Sequence, residues 1–287
     1  MHYESEYYMT NTALVTGASS GIGVEFARYH ASKGGDLIIT ARREAELQRL
    51  KSELETKHGV TVHVVALDLG ASGGAEALYK AVQKTGEIVK VLINNAGFGG
   101  HGVHIERQLS KEQAMIDLNI KAVVSLTHMI GNDMVKSGGG KMLHVSSTAG
   151  FMPGPMQAVY FASKAFVTSF SQAIDQELRG RGVTSTALCP GGVATEFLET
   201  AKLENTQMGK GSGSFVTAES CAKHGYDAMM KGTLVTVNQK SYSFFVNWVF
   251  PFMPRRRALK MIGDMQSEGR RCGLVGRHFQ WYLVTKS

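Results

Sequence analysis

The chain of 287 residues is 43% hydrophobic and 19% charged, with 33 glycines, a composition that suits one large α/β core and excludes disordered and fibrous classes. Its net charge of +7 arises at one end, because Lys240 to Ser287 carries nine Lys and Arg against two acids, Asp264 and Glu268. Three cysteines, Cys189, Cys221 and Cys272, stand far apart without a CxxC, which argues against a disulfide framework and for a reducing compartment.

The N-terminal MHYESEYYMTNTALVTG lacks a basic region followed by an apolar run, so it does not read as a secretory signal and a cytoplasmic location is expected. Met9 stands just before the first strand-like run, and residues 1–8 read as an upstream extension. Short apolar runs then alternate with amphipathic stretches. TALVTG (12–17) predicts a strand, 21–33 a helix, LIIT (37–40) a strand, and 44–58 a charged helix. TVHVVALD (61–68), a helix over 72–85 and VKVLINNAG (89–97) follow. A long helix is predicted near 111–136, then the strand KMLHVSS (141–147), a helix near 158–180 and the strand VTSTALCPGG (183–192). This alternation predicts βαβ units building a single doubly wound, Rossmann-type parallel sheet with helices on both faces. Gly-rich stretches at 138–140 and 209–213 read as loops, the second inside a long connection over 195–215 that is expected to be functional. The predicted organisation is one catalytic domain over 9–240, with 241–287 as a basic, aromatic, helical extension of it.

After the first strand comes TGASSGIG (16–23), opening the first helix. Gly17 permits the tight turn, Gly21 lets the backbone approach a pyrophosphate, and Gly23 lets helix and strand pack closely; Ser19, Ser20 and Ile22 complete the turn. Strand, glycines and helix fall in the order a dinucleotide site requires. At the end of the second strand, where an NAD site offers an acid to the ribose, the chain reads ITARRE. A guanidinium at Arg42 would fork onto a 2′-phosphate that a carboxylate would repel, which favours NADP(H) over NAD(H); the other reading is that Arg42 and Arg43 begin a solvated helix. Asp68, at the end of the third strand, would cap the adenine pocket or serve as a helix N-cap. Asn94, Asn95, Ala96 and Gly97 follow the fourth strand, where small residues allow close cofactor approach and amides tie strands together.

TGASSGIG, NNAG (94–97), Asn119, a Ser thirteen residues before the Tyr of YFASK (160–164), and PGGVAT (190–195) together resemble the short-chain dehydrogenase/reductase family in its classical type. The match runs in order and spacing from about residue 10 to about residue 200, and the two glycines after Pro190 lie within the family's variation. The resemblance implies that Ser147, Tyr160 and Lys164 are catalytic and that Asn119 joins them. It implies cofactor contacts from Asp68, Leu69, Asn95, Ala96 and Gly97, from Tyr160 and Lys164, and, on the nicotinamide half, from Pro190, Gly191, Val193 and Thr195. It also implies a homodimer or tetramer formed through the long helices holding Asn119 and Tyr160.

The residue chemistry agrees. A carbonyl accepting a hydride needs a proton donor, and a free Tyr with a pKa near ~10 is a poor base for the reverse reaction. The phenol's pKa is therefore expected to fall, because a cation within about 4–6 Å stabilises the phenolate and both Lys164 and an oxidised nicotinamide ring would act in that direction. Ser147 is placed to hydrogen-bond the substrate oxygen, or else is a strand-end turn residue. Asn119 lies in an apolar helical setting, where a buried amide needs partners and would join a water chain from Lys164 to solvent; the alternative is a surface Asn. Two other stretches share the Tyr-x-x-x-Lys spacing, YHASK (29–33) and YLVTK (282–286). The first lies two to three turns along the helix that the glycine turn opens, remote from a reacting nicotinamide, and the second lacks a neighbouring Ser-tipped strand.

No metal is indicated: His101 and His104 form an HxxH without a third ligand and read as loop residues. YSFFVNWVFPFMP (242–254) is too short to span a bilayer and is interrupted by Pro251. With Arg255, Arg256 and Arg257 behind it, three readings stand: a subunit-interface or lid segment, an interfacial membrane anchor, or a basic patch for an acyl carrier or nucleic acid. The functional expectation is an NADPH-dependent oxidoreductase of the carbonyl or secondary alcohol of a mostly apolar substrate, the apolar inclination resting on Phe151, Met152, Phe197 and Leu198. The substrate is a small molecule and no nucleic-acid motif is present. The alternative is a non-catalytic NADP(H)-binding sensor or scaffold.

Overall fold

A computed structural model describes residues 11–195, 201, 206 and 215–267. Residues 1–8, most of the 195–215 connection with Phe197 and Leu198, and the 268–287 tail with Cys272 and YLVTK lie outside the described residues.

Chain order gives β1 (Thr12–Thr16), α1 (Gly21–Ala31), β2 (Leu37–Ala41), α2 (Glu44–His58), β3 (Val62–Ala66), α3 (Gly74–Thr85) and β4 (Val89–Asn94). Next come α4 (Leu109–Ile116), α5 (Val123–Lys136), β5 (Gly140–Val145), α6 (Ala158–Leu178) and β6 (Val183–Leu188). The last described elements are β7 (Val193–Ala194), β8 (Val216–Thr217), α7 (Ala218–Met230), β9 (Val235–Thr236), α8 (Lys240–Phe244) and α9 (Arg255–Gln266). Seven strands form one parallel sheet in the order β3-β2-β1-β4-β5-β6-β9, while β7 and β8 pair separately. The doubly wound parallel sheet predicted from the alternation is the sheet observed.

The strands read as apolar runs because both faces of the sheet are covered. Successive side chains of a strand leave on opposite faces, so Ala13, Val15, Leu37 and Ile39 pack under α1, α2 and α7, through Phe26, Leu47, Leu54 and Met229. Leu14, Ile38 and Leu92 go the other way, onto Leu78 of α3 and Leu126 and Ile130 of α5. The order turns back on itself between β1 and β4, and the crevice of such a sheet opens there, beyond the carboxyl ends of the strands.

Two features depart from the predicted elements. The long helix expected near 111–136 is α4 and α5 joined by a π-helical turn, Asp117–Ala122. Helix α7 and the two-residue β9 follow the long connection and add a flank beyond the predicted elements.

Candidate active site

The turn after β1 is shaped by its glycines. Gly17 at φ +69° and Gly21 at φ +56° hold backbone that residues with a Cβ rarely adopt. A Cβ on Gly17 would stand 2.9 Å from Ala96 Cα, and one on Gly23 would run into the Gly17 carbonyl oxygen. A methyl on Gly21 would meet Thr195 at 3.3 Å, so the turn faces the loop that follows β6. Ser20, the N-cap of α1, makes no side-chain cap bond, and the first-turn N–H groups with the helix dipole behind them suit an anion. The cradle fits a dinucleotide: Gly17 and Gly23 let the turn close on β4 and on itself, and Gly21 leaves open the space before Thr195.

Asn95 fastens the cradle to β4. Its Nδ2 donates to the carbonyls of Thr16 at 2.9 Å and Gly17 at 3.3 Å, and the N–H groups of Asn95 and Ala96 each donate to Thr16 Oγ1 at 3.0 Å. Asn94 turns inward instead, its Nδ2 donating to Thr127 Oγ1 at 3.3 Å within the core. Arg42 stands exposed beyond β2. Arg43 reaches over the turn, its Nε donating to Ser19 Oγ at 3.2 Å and its Nη2 to Ser19 O at 3.1 Å. Sequence reasoning gave the phosphate role to Arg42 alone, and the doubled arginine was the signal for its neighbour.

Asp68 lies beyond β3, and its Oδ1 accepts the Gly70 N–H at 3.0 Å in an Asx turn. The N-cap of α3 is Gly73, so the N-cap reading of Asp68 does not hold. Leu69 is a core residue, packed with Leu14 and Leu78.

Opposite the cradle, α6 carries Tyr160 and Lys164 one turn apart, both buried. The helix is pinned to β6, where Asp175 Oδ1 accepts the Ser185 N–H at 2.9 Å and Ser171 Oγ lies 2.8 Å from Ser185 Oγ. Ser147 leaves the end of β5 as the N-cap of a 3-10 turn, Thr148–Phe151, where its Oγ accepts the Ala149 N–H at 3.1 Å. The same hydroxyl is hydrogen-bonded with the phenol of Tyr160. Lys164 Nζ donates to Val145 O at 2.9 Å and stands 5.8 Å from the centroid of the Tyr160 ring. A Cβ on Gly97 would come within 3.5 Å of that ammonium, so the segment after β4 closes the gap between cradle and lysine.

Asn119 lies in the π turn and is buried, not on the surface. Its Oδ1 accepts the Phe98 N–H at 3.1 Å, while its Nδ2 donates to Phe98 O at 3.0 Å and to Ser163 Oγ at 3.1 Å. The amide thereby clamps the segment after β4 to the helix of Tyr160. π turns are rare and gather at functional positions.

Burial pushes the Tyr160 phenol up to about 12, against the opposing hydrogen bond to Ser147. Burial also lowers Lys164 to about 8, the neighbouring Cys189 acting the other way. The expected fall in the phenol's pKa is thus not a property of the chain by itself. The ammonium turns to the Val145 carbonyl, and desolvation of the phenolate dominates.

Pro190, Gly191 and Thr195 belong to the segment after β6, with Val193 in the short strand β7. Pro190 O accepts the Thr148 N–H at 2.8 Å, and the Gly191 N–H donates to Asn238 Oδ1 at 3.2 Å. A Cβ on Gly191 would sit 2.9 Å from the ring of Tyr242, so α8 backs this loop. Further on, Gln266 joins the wall: its carbonyl accepts from His101 Nε2 at 2.7 Å, and its Oε1 accepts from Gln157 Nε2 at 2.7 Å, just ahead of α6. Met156, beside Gln157, has φ 68°, a conformation unusual for a non-glycine residue. No local signal foretold these contacts between distant segments. His104 lies 3.6 Å from Glu112, and among the described residues no three His, Cys, Asp or Glu side chains gather as a metal site.

A family model described as short chain dehydrogenase matches residues 11–206. A sulfoacetaldehyde reductase of Chromohalobacter salexigens is 38% identical over 193 residues, covering 66% of this chain and 75% of that protein. A very-long-chain 3-oxoacyl-CoA reductase of Anas platyrhynchos is 26% identical over 256 residues, 87% of this chain and 78% of its own. Among solved structures, a short-chain dehydrogenase from Sphingobium yanoikuyae in complex with NADPH superposes with a TM-score of 0.76 at 25% identity, over 92% of this chain and 98% of that one.

Proposed function

The chain belongs to the short-chain dehydrogenase family and is an oxidoreductase of carbonyl and alcohol groups, and from that premise we propose that it is an NADP(H)-dependent reductase of mostly apolar ketones or aldehydes. The observation that carries the reading is the Tyr160 phenol, hydrogen-bonded to Ser147 and one helical turn from Lys164, on the wall facing a glycine cradle.

In this reading Gly17, Gly21, Gly23, Asn95 and Thr195 hold the dinucleotide, with Arg42 and Arg43 toward a 2′-phosphate; a relative in complex with NADPH supports that preference. When bound, the nicotinamide supplies the hydride that the carbonyl carbon accepts. Ser147 Oγ orients the carbonyl oxygen, and Tyr160 Oη gives it a proton. A phenol held near 12 keeps its proton throughout the neutral range, which suits reduction. Lys164, lowered to about 8, is poised to return a proton to the phenolate. Asn119 positions the helix of Tyr160 through Ser163.

The apolar preference rests on what surrounds the tyrosine: Met115, Ala149, Phe161 and Ile262 pack with it, and Phe98, Met152 and Phe250 line the same cluster. Val124 on α5 and Phe166 on α6 are exposed, which supports a homodimer or tetramer formed through those helices.

The test is turnover of a panel of ketones and aldehydes with NADPH and with NADH, followed by coenzyme absorbance. Tyr160→Phe is expected to lose turnover on the order of a thousandfold while NADPH still binds in a fluorescence titration. Retained turnover in that variant overturns the role of the phenol, and faster turnover with NADH overturns the coenzyme preference.

A further inference from the structure

We propose that residues 240–260 dock this protein on an anionic lipid surface. After α8 the chain continues through a π turn, Phe245–Val249, and a 3-10 turn, Phe250–Phe252, into α9. Val246, Ala258 and Ile262 face inward and are buried, whereas Phe244 is 54% exposed, Trp248 68% and Phe252 79%. Three large aromatics thus stand in water along one short segment, while its own small apolar residues hold it to the body. An outward aromatic row is costly in water and suits the headgroup boundary of a bilayer, where amphipathic rings concentrate.

The charge pattern names the occupant. Between Asp227 and Asp264 the sequence has no Asp or Glu, and Arg255, Arg256 and Arg257 follow the aromatics directly. All three arginines are exposed at the start of α9, and the first acid beyond them, Asp264, is 3.3 Å from Lys260. A second copy of the chain is a poor occupant. A two-fold contact through this patch would set two arginine rows near one another with no acids between them. Anionic headgroups satisfy the arginines and the aromatics together. Among the described residues no helix is long and apolar enough to cross a membrane, so the segment lies on the surface. Its inner side touches the catalytic wall, through Tyr242 at Gly191 and Phe250 in the cluster of Tyr160.

The experiment is co-sedimentation of the full-length chain with vesicles of three parts phosphatidylcholine to one part phosphatidylserine, and with phosphatidylcholine alone. Binding to the anionic vesicles at low ionic strength and release by added salt are expected. Combining Arg255→Gln, Arg256→Gln and Arg257→Gln should weaken binding on the order of a hundredfold, the sum of three cations near the surface. Trp248→Ala with Phe252→Ala should also release the protein, with circular dichroism confirming that these exposed changes leave the fold intact. A full-length chain that stays in the supernatant overturns the proposal, as does an arginine variant that sediments like its parent. A dimer in size-exclusion chromatography that Trp248→Ala converts to monomer overturns it as well, by assigning the patch to a second copy.

Discussion

Residues 29–33 and 160–164 differ by one letter in five, YHASK against YFASK; the second lies wholly within α6, while the first straddles the end of α1, with Lys33 in the turn beyond Ala31. Lys33 Nζ stands 5.2 Å from the Tyr29 centroid and Lys164 Nζ 5.8 Å from that of Tyr160, so the pair geometry is nearly the same. The surroundings are not. Tyr29 Oη donates to Asp227 Oδ1 at 2.9 Å and accepts from Lys223 Nζ at 3.1 Å, which makes it a link between α1 and α7 at the rim of the molecule. Tyr160 is buried against Ser147 beside the glycine cradle. A phenol and an ammonium at helical spacing become an acid/base pair only where water is excluded and a reacting carbon has a place to sit.

The sharpest way to break this comparison is to remove each cation in turn. Lys164→Met should lower turnover on the order of a thousandfold, since it takes away the ammonium that holds the Val145 carbonyl and, in the proposed mechanism, recharges the phenolate. Lys33→Met, on an exposed side chain, should leave turnover within about twofold. Parallel steady-state kinetics decide it. Equal losses in the two variants would mean that the lysines act through the fold and not through the site.

Most of the frame was legible because of how parallel sheets are built. β1 and β2 read as unbroken apolar runs because helices cover both faces, and α2 falls on the predicted 44–58 because its charges and its Leu47, Leu50, Leu54 stripe obey one period. Helix α7 buries Cys221, Ala222, Gly225, Tyr226 and Met229 at helical spacing, but the small Ala222 and Gly225 give that face little apolar bulk, and it lies beyond the long connection. The site divides in the same manner. Ser147, Asn119, Tyr160 and Lys164 were legible as candidates through the family resemblance, and the fold brings Ser147 and Lys164 to Tyr160 with Asn119 behind its helix. The reach of Arg43 to Ser19 and the meeting of Gln266 with His101 and Gln157 depend on segments that only folding brings together.

Each of the two regions also rests on a buried imidazole, and acid should test both. His30, next to Tyr29, is bonded to Tyr226 Oη and Asn11 O, each at 2.8 Å. His144, in β5 under Phe170 of α6, has Nδ1 3.2 Å from Asn94 Nδ2 and no partner at Nε2. Burial lowers both from 6.5 to about 4. Because the folded value is the lower one, the unfolded chain takes up the proton first. The stabilisation is complete above pH 6.5 and is lost as pH falls toward 4, on the order of 3 kcal/mol for each histidine. Urea melts across that window should show the decline, and His144→Gln should flatten it by about half while leaving the contribution of His30. An unchanged slope in that variant would show that protonation of His144 does not govern acid stability.

The smallest effect belongs to the rim phenol. Tyr29→Phe keeps the ring, which meets Tyr226 edge-on with centroids 5.2 Å apart, and deletes only the hydroxyl between Asp227 and Lys223. Asp227 keeps Lys223 at 2.7 Å, so no buried charge is stranded. A partly buried hydrogen bond of this kind contributes about 0.5–1 kcal/mol, which for a chain of this size lowers Tm by at most ~2–4 °C. Turnover should stay within about twofold of the parent. A thermal melt and an activity assay on one preparation are enough. A large loss of turnover in Tyr29→Phe would mean that α1 transmits the α7 contact to the glycine cradle, and that the two tyrosines, alike in sequence and unlike in setting, are coupled through α1.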